Sequence, residues 1–303
     1  MLFRSSFTQG AFVTVTKVTA FKCGIKIAEI FREMQIVLLA CGSNYPPDVS
    51  APFLDTATGT YSLYTDTVYA GSLVQFNTNA IDTLPVQLAN GDFTTVTIYA
   101  SGAQFGQGYT STTTGCLNPP CATLTPPAPV SNFFGTTTQF NWQTDCSHLE
   151  TQTGCGGVTN VYTFVLKVLD DFCPAPGINV NTVTIVVENA ILENPFLRCV
   201  SVEENGDVTL DWLPPDTSEI PNTFYSYHVF SATSPLGPYT LIDSVFGYNN
   251  TTYTHVNANA NNLPRYYYLR TLSGCYGKFP ANPSDTLRTI NLTVSNIGNS
   301  TAE

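Results

Sequence analysis

The stretch Tyr162–Gly177, YTFVLKVLDDFCPAPG, decides the fold class. Tyr162, Phe164, Leu166 and Val168 alternate with Thr163, Val165, Lys167 and Leu169. This is the two-residue period of a strand with one face buried and the other nearer to solvent. Asp170 and Asp171 then end the run, because short acidic side chains favour turns over ladders, and Pro174 and Pro176 prevent its continuation. The reading of the acid pair is that it terminates the strand and faces water.

The same texture extends outward along the chain. TDTVYAGSLVQFNTNAI, FTTVTIYA, TTQFNWQT and NTVTIVVE are rich in Thr, Val, Tyr and Phe and read as strands, with no helix required. Trp142, Tyr162 and Phe164 are their core candidates. Residues 43–190 form one domain on this reading, interrupted at about 101–135 by a segment whose glycines and prolines predict a surface loop stapled by its own cysteines. CGSNYPPDVSAPF, from Cys41 to Phe53, has the polar, proline-bearing character of a linker. Ahead of it, AFVTVTKVTAF and IAEIFREMQIVLLAC read as the last strands of a preceding β-sandwich, residues 1–42. Ile27, Ile30, Phe31 and Met34 also recur at helical spacing, which makes an amphipathic helix the alternative. Residues 191–295 form a further domain and 296–303 a linker to a following one. The expectation is a piece of a longer protein.

Composition narrows the function. In 303 residues only 11% are charged and the net charge is -11, so nucleic acid and anionic membranes are repelled. Nine cysteines against two methionines point to an oxidising, extracellular compartment. MLFRSSFTQGAFVTVTK lacks the apolar core of a signal peptide, and no run approaches the roughly 20 apolar residues needed to span a bilayer. No catalytic residue is assigned. The three histidines are His148, His228 and His255, and only DCSH, from Asp145 to His148, groups nucleophile, base and acid types. Residues that close in sequence rarely converge as a triad, whose members come from separate elements. CLNPPC has no partner pair for zinc, so a disulfide is expected there.

From about Pro195 to Val294 the motifs PFLRCVSVEENGDVTLDWLPP, FYSYHVFSA, LGPYTLIDSV, TTYTHV, PRYYYLRTLSGC and SDTLRTINLTV resemble a fibronectin type III domain. Trp212, followed by Pro214 and Pro215, matches the early core tryptophan of that family. Tyr225 and Tyr227 match its aromatic third strand, and Tyr266 or Tyr268 its corner tyrosine. The resemblance implies a core built on Trp212, Tyr227 and Tyr268. The middle block, through NYPPDV, DTVYAGSLVQFNTNAID, FNWQTDC and YTFVLKVLDDFC, is similar to the PKD-like and cadherin-like repeats of bacterial surface proteins. The whole arrangement resembles multidomain gliding-motility or type IX secretion cargo. An all-β protein of tandem immunoglobulin-like sandwiches is implied, without enzyme activity, working by display and adhesion on the cell surface. Its partner would be a cell-surface protein or a polysaccharide, with no membrane insertion. The alternative is a carbohydrate-binding accessory module of a secreted hydrolase.

The cadherin-like resemblance also implies calcium as the one candidate cofactor, held by oxygen ligands from Asn44, Asp48, Asp82, Asp170 and Asp171. Among the cysteines, Cys199 with Cys275 is the leading disulfide, since they flank the long strands of the type III-like block. Cys146 pairs with Cys173 or Cys155, Cys116 with Cys121, and Cys23 with Cys41, which leaves one thiol unmatched.

Overall fold

The computed structural model describes residues 10–22, 25–38, 44–88, 91–149, 160–172, 176–218, 220, 222–277 and 279–290. The chain divides into two compact units, residues 1–68 with 72–188, and residues 69–71 with 189–303. Both are all-β sandwiches, and among the described residues no helix is long and apolar enough to cross a membrane.

The first unit opens with β1 (Gly10–Lys22) and β2 (Ile25–Leu38), paired antiparallel with one register shift after Ala20. The helical alternative for this stretch is therefore overturned. A helix would need its stripe packed against something, yet Ile27, Ile30, Phe31 and Met34 are between 43% and 64% exposed. The density of Val, Ile and Thr favours extended chain instead. Cross-strand contacts add to it: Lys17 pairs with Glu29 at 2.9 Å and sits over the Phe31 ring at 5.5 Å.

Eleven further strands follow in this unit: β3 (Asp48–Val49), β4 (Phe53–Asp55), β5 (Thr60–Leu63), β6 (Thr65–Tyr69), β7 (Leu73–Ile81), β8 (Thr95–Ser101), β9 (Thr123–Thr125), β10 (Val130–Phe133), β11 (Gly135–Gln143), β12 (Val161–Leu169) and β13 (Ile178–Glu188). The order β3-β7-β11-β9 makes one sheet, β10-β8-β12-β13-β6 the other, and β4 with β5 a small hairpin. The register sets Val74 opposite Trp142 and Phe76 opposite Phe140 on the inner face, where the two phenylalanine rings stack at 4.6 Å. Phe164 of the facing sheet meets Phe140 edge-on at 4.8 Å, and Val96, Ile98, Leu166, Val168, Val183 and Ile185 complete the core.

The segment 101–135 is not a surface loop. It contributes β9 to one sheet and β10 to the other, and it buries Phe105, Cys121, Ala122 and Leu124. Phe105 lies edge-on to Phe164 at 5.0 Å, so apolar burial outweighs the flexibility that the prolines and glycines advertise. Gly106 permits the close turn: a Cβ there would lie 1.7 Å from the Ser111 carbonyl oxygen.

The second unit contains β14 (Phe196–Val202), β15 (Val208–Leu213), β16 (Ser226–Ala232), β17 (Thr240–Phe246), β18 (Thr252–His255), β19 (Tyr266–Ser273), β20 (Phe279–Pro280) and β21 (Leu287–Arg288). One sheet has the order β14-β15-β18, the other β17-β16-β19-β20, with β21 also paired to β19. Leu197, Leu210, Trp212, Tyr227, Val229, Tyr267 and Leu269 pack between them. Trp212 meets Tyr227 edge-on at 5.3 Å, and the Tyr227 hydroxyl donates to the Tyr248 carbonyl at 2.8 Å.

The corner tyrosine is neither Tyr266 nor Tyr268. β19 buries Tyr267, Leu269, Thr271 and Ser273 and leaves Tyr266, Tyr268 and Arg270 half-exposed. Three consecutive tyrosines make the parity of the strand ambiguous, and a one-residue slip exchanges the faces. The Tyr267 hydroxyl and His255 Nδ1 share a hydrogen bond of 2.8 Å, and burial pushes the tyrosine pKa up to about 12. Tyr267→Ala is expected to cost about 3–5 kcal/mol, the range for a buried aromatic. Tyr268→Ala should cost less than half as much, and denaturant midpoints of the two variants check the assignment.

Candidate functional site

The acids at the end of β12 behave differently from one another. Asp170 does not face water; it is 0% exposed. The alternation that buries Phe164, Leu166 and Val168 carries position 170 inward as well. Its Oδ1 accepts the N–H groups of Phe172 and Gly177 at 3.0 and 2.9 Å, and its Oδ2 accepts the Asn44 side-chain amide at 2.9 Å. Gly177 must be glycine for this approach, because a Cβ would lie 2.7 Å from Asp170 Oδ2 and 2.8 Å from Pro46 Cα. Asp171 is exposed and accepts the Thr95 N–H at 2.7 Å. Asp82 is buried and accepts from the Leu84 N–H and the Thr94 hydroxyl, both at 3.0 Å. Asp48 is exposed on β3. The fold thus brings Asn44 to Asp170 only, and among the described residues no three His, Cys, Asp or Glu side chains are grouped so as to hold a metal ion.

DCSH forms a fastener. Asp145 caps a short turn, accepting the Ser147 N–H at 3.0 Å, while its own N–H donates to His148 Nδ1 at 2.8 Å. The His148 proton therefore lies on Nε2, which donates to the Asn118 carbonyl at 2.9 Å. Trp142 Nε1 and Gln104 Nε2 donate to the neighbouring Pro120 carbonyl at 2.9 and 3.1 Å. The loop closed by the Cys116–Cys121 disulfide is thus gripped from inside by three side chains.

Burial pushes the pKa of His148 below its ordinary 6.5, and the same holds for His228 and His255. Below pH 6.5 the unfolded chain takes up protons that these folded histidines resist. Their stabilising contribution is therefore complete above that pH and is lost as pH falls below it. The melting temperature should drop between about pH 7 and pH 5, with a shallower slope in His148→Gln. Thermal melts across that range check the sign.

The leading cysteine pair is overturned. Cys199 is an exposed free thiol, whereas Cys275 is buried and disulfide-bonded, and Cys146 is half-buried and also disulfide-bonded. A register shift between Leu197 and Cys199 turns both Arg198 and Cys199 outward from the β14-β15-β18 sheet, while Cys275 follows β19 of the opposite sheet. Cys23, Cys41, Cys155 and Cys173 lie outside the described residues.

A cluster of rings occupies the outer face of the β17-β16-β19 sheet. Phe230 stacks on Tyr268 at 4.8 Å, and Tyr239 lies 4.8 Å from Tyr268 on its other contact. The Arg270 guanidinium lies 5.8 and 5.7 Å from the Phe230 and Tyr268 rings, and its buried Nε has no hydrogen-bond partner. Arg288 lies 5.8 Å from the Tyr266 ring. The signal for this face is the even spacing of Tyr266, Tyr268 and Arg270.

The chain matches no protein-family model and no curated protein. Among solved structures it is similar to an Fn3-like protein from Clostridium thermocellum, 21% identical over 35% of this chain and 98% of that one, with a TM-score of 0.26. It is also similar to the chicken CNTN1 FN1–FN3 domains, 9% identical over 93% of this chain and 76% of that one, with a TM-score of 0.28. Likenesses of this size assign no residue and no activity. The strand order is the deciding observation: among the described residues the first, second and fifth strands of the second unit form one sheet, and the fourth, third, sixth and seventh form the other, with the eighth also paired to the sixth. This unit is an immunoglobulin-like β-sandwich.

Proposed function

We propose that the chain is a non-catalytic display and adhesion module of an exported bacterial surface protein, of the gliding-motility and type IX secretion kind. On this reading the first unit is a PKD-like or cadherin-like spacer. The second contacts a cell-surface protein through the outer face of β17, β16 and β19. The observation that carries this reading is the cluster of Phe230, Tyr239, Tyr268 and Arg270. Tyrosine and arginine are enriched in protein interfaces and dominate their binding energy. Here the rings orient a guanidinium that has no ion-pair partner among the described residues. Labelled chain should adhere to intact bacterial cells, lose adhesion when the cells are treated with protease, and adhere at least about tenfold more weakly as the Tyr268→Ala, Arg270→Met double variant. Equal adhesion by that variant contradicts the reading.

A second reading, a polysaccharide-binding accessory module of a secreted hydrolase, is favoured by the uncharged outer face of β7, β11 and β9. In either case the role read for Asp170 is an anchor for the turn, since three N–H donors converge on its carboxylate. Asp170→Ala leaves those donors without an acceptor and should destabilise the unit by at least about 2 kcal/mol. Melts with calcium and with a chelator should superimpose, and a calcium-dependent rise that Asp170→Ala abolishes would restore the metal.

A further inference from the structure

We propose that the outer face of β7, β11 and β9 binds a neutral polysaccharide along an array of amide and hydroxyl side chains, with Tyr61 as a stacking platform at its margin. The inference rests on the second reading above and names its site and ligand class.

The register builds the array directly. Gln75 stands opposite Asn141 and Asn141 opposite Thr123; Asn77 stands opposite Gln139 and Gln139 opposite Thr125; Asn79 stands opposite Thr137. All of these side chains are exposed or half-exposed, because they alternate with the buried set Val74, Phe76, Thr78, Phe140 and Trp142. The patch runs about 14 Å along β7 and about 10 Å across three strands. Gln75 Nε2 donates to Asn141 Oδ1 at 2.6 Å and the Thr137 hydroxyl to Asn79 Oδ1 at 2.9 Å, which holds the amides in fixed orientations. Beside them lies a cavity of about 510 Å³ lined by Pro52, Tyr61, Gln75, Asn77 and Asn79, with Tyr61 69% exposed.

The chemistry of the face selects among ligands. From Gln75 to Asn79 on β7, and across β11 and β9, no position carries an ionisable group; Asp48 stands at the far corner opposite Ile81. An anionic polymer would find no cation there, on a chain of net charge -11. A protein partner would find no apolar centre from which to exclude water. Each primary amide offers two donors and an acceptor, and each threonine hydroxyl offers both roles. A polyhydroxyl ligand, whose groups are likewise donor and acceptor at once, satisfies and is satisfied by such a surface. The exposed Tyr61 ring supplies an aromatic plane on which a sugar ring can lie.

Affinity electrophoresis of the whole chain tests the site, with hydroxyethyl cellulose, glucomannan and polygalacturonate in separate gels. Retardation is expected in at least one neutral polymer and not in polygalacturonate. The Tyr61→Ala and the Asn77→Ala, Gln139→Ala variants, with unchanged melting, should weaken the neutral association constant at least about tenfold, while Arg270→Met leaves it intact. No retardation by either neutral polymer, or full retardation of the first-unit variants, overturns the proposal. Loss of cell adhesion in Arg270→Met with glycan binding preserved would instead separate the two faces. Retardation that Arg270→Met abolishes would also overturn the assignment, because it would place the binding on the second unit.

Discussion

Two sheets packed face to face require every strand to send alternate side chains into the gap between them, and most features of both units follow from that alternation. Phe76, Phe140 and Phe164 lie in van der Waals contact because their strands hold them at inward positions, with ring centroids 4.6 to 4.8 Å apart. In the second unit the same rule places Trp212, Tyr227 and Tyr267 together. Apolar area removed from water is the dominant stabilising term in both cores. The backbone ladders and the position of each loop are consistent with it.

Alternation does not distinguish apolar from polar residues, so polar groups also arrive inside and must be satisfied there. Asp170, Asp82 and His148 are buried in this way, and each has become a fastener. Asp170 gathers donors from Asn44, Phe172 and Gly177; His148 ties the turn at Asp145 to the carbonyl of Asn118. A buried polar group that is fully bonded rigidifies its surroundings, whereas an unbonded one costs the whole desolvation penalty. Asp170, Asp82 and His148 are each bonded in this way.

The outward positions are where the two units differ. The face of β7, β11 and β9 presents amides and hydroxyls, while the face of β17, β16 and β19 presents stacked rings and guanidinium groups. In the two proposals the first face takes a hydroxyl-rich ligand and the second a protein surface, two chemistries proposed for similar scaffolds.

The amino-acid sequence alone determined the all-β class, because a two-residue period over Tyr162–Leu169 and Leu73–Ile81 is local information. It also determined the short disulfide between Cys116 and Cys121, whose partners lie in one loop. The second unit's sandwich class was legible from Trp212 and the strands around it. What depends on distant neighbours was not legible. Three adjacent tyrosines could not say which one is inside until β16 fixed the register of β19. The apolar residues of 101–135 counted for nothing until Phe140 and Phe164 were beside them. Cys199 lost its expected partner to a register shift between Leu197 and Cys199 that no local pattern announces. Which residues meet on the outer faces was likewise not legible, since each face is assembled from several strands, and only pairing across a sheet places Asn77 beside Gln139 or Phe230 beside Tyr268.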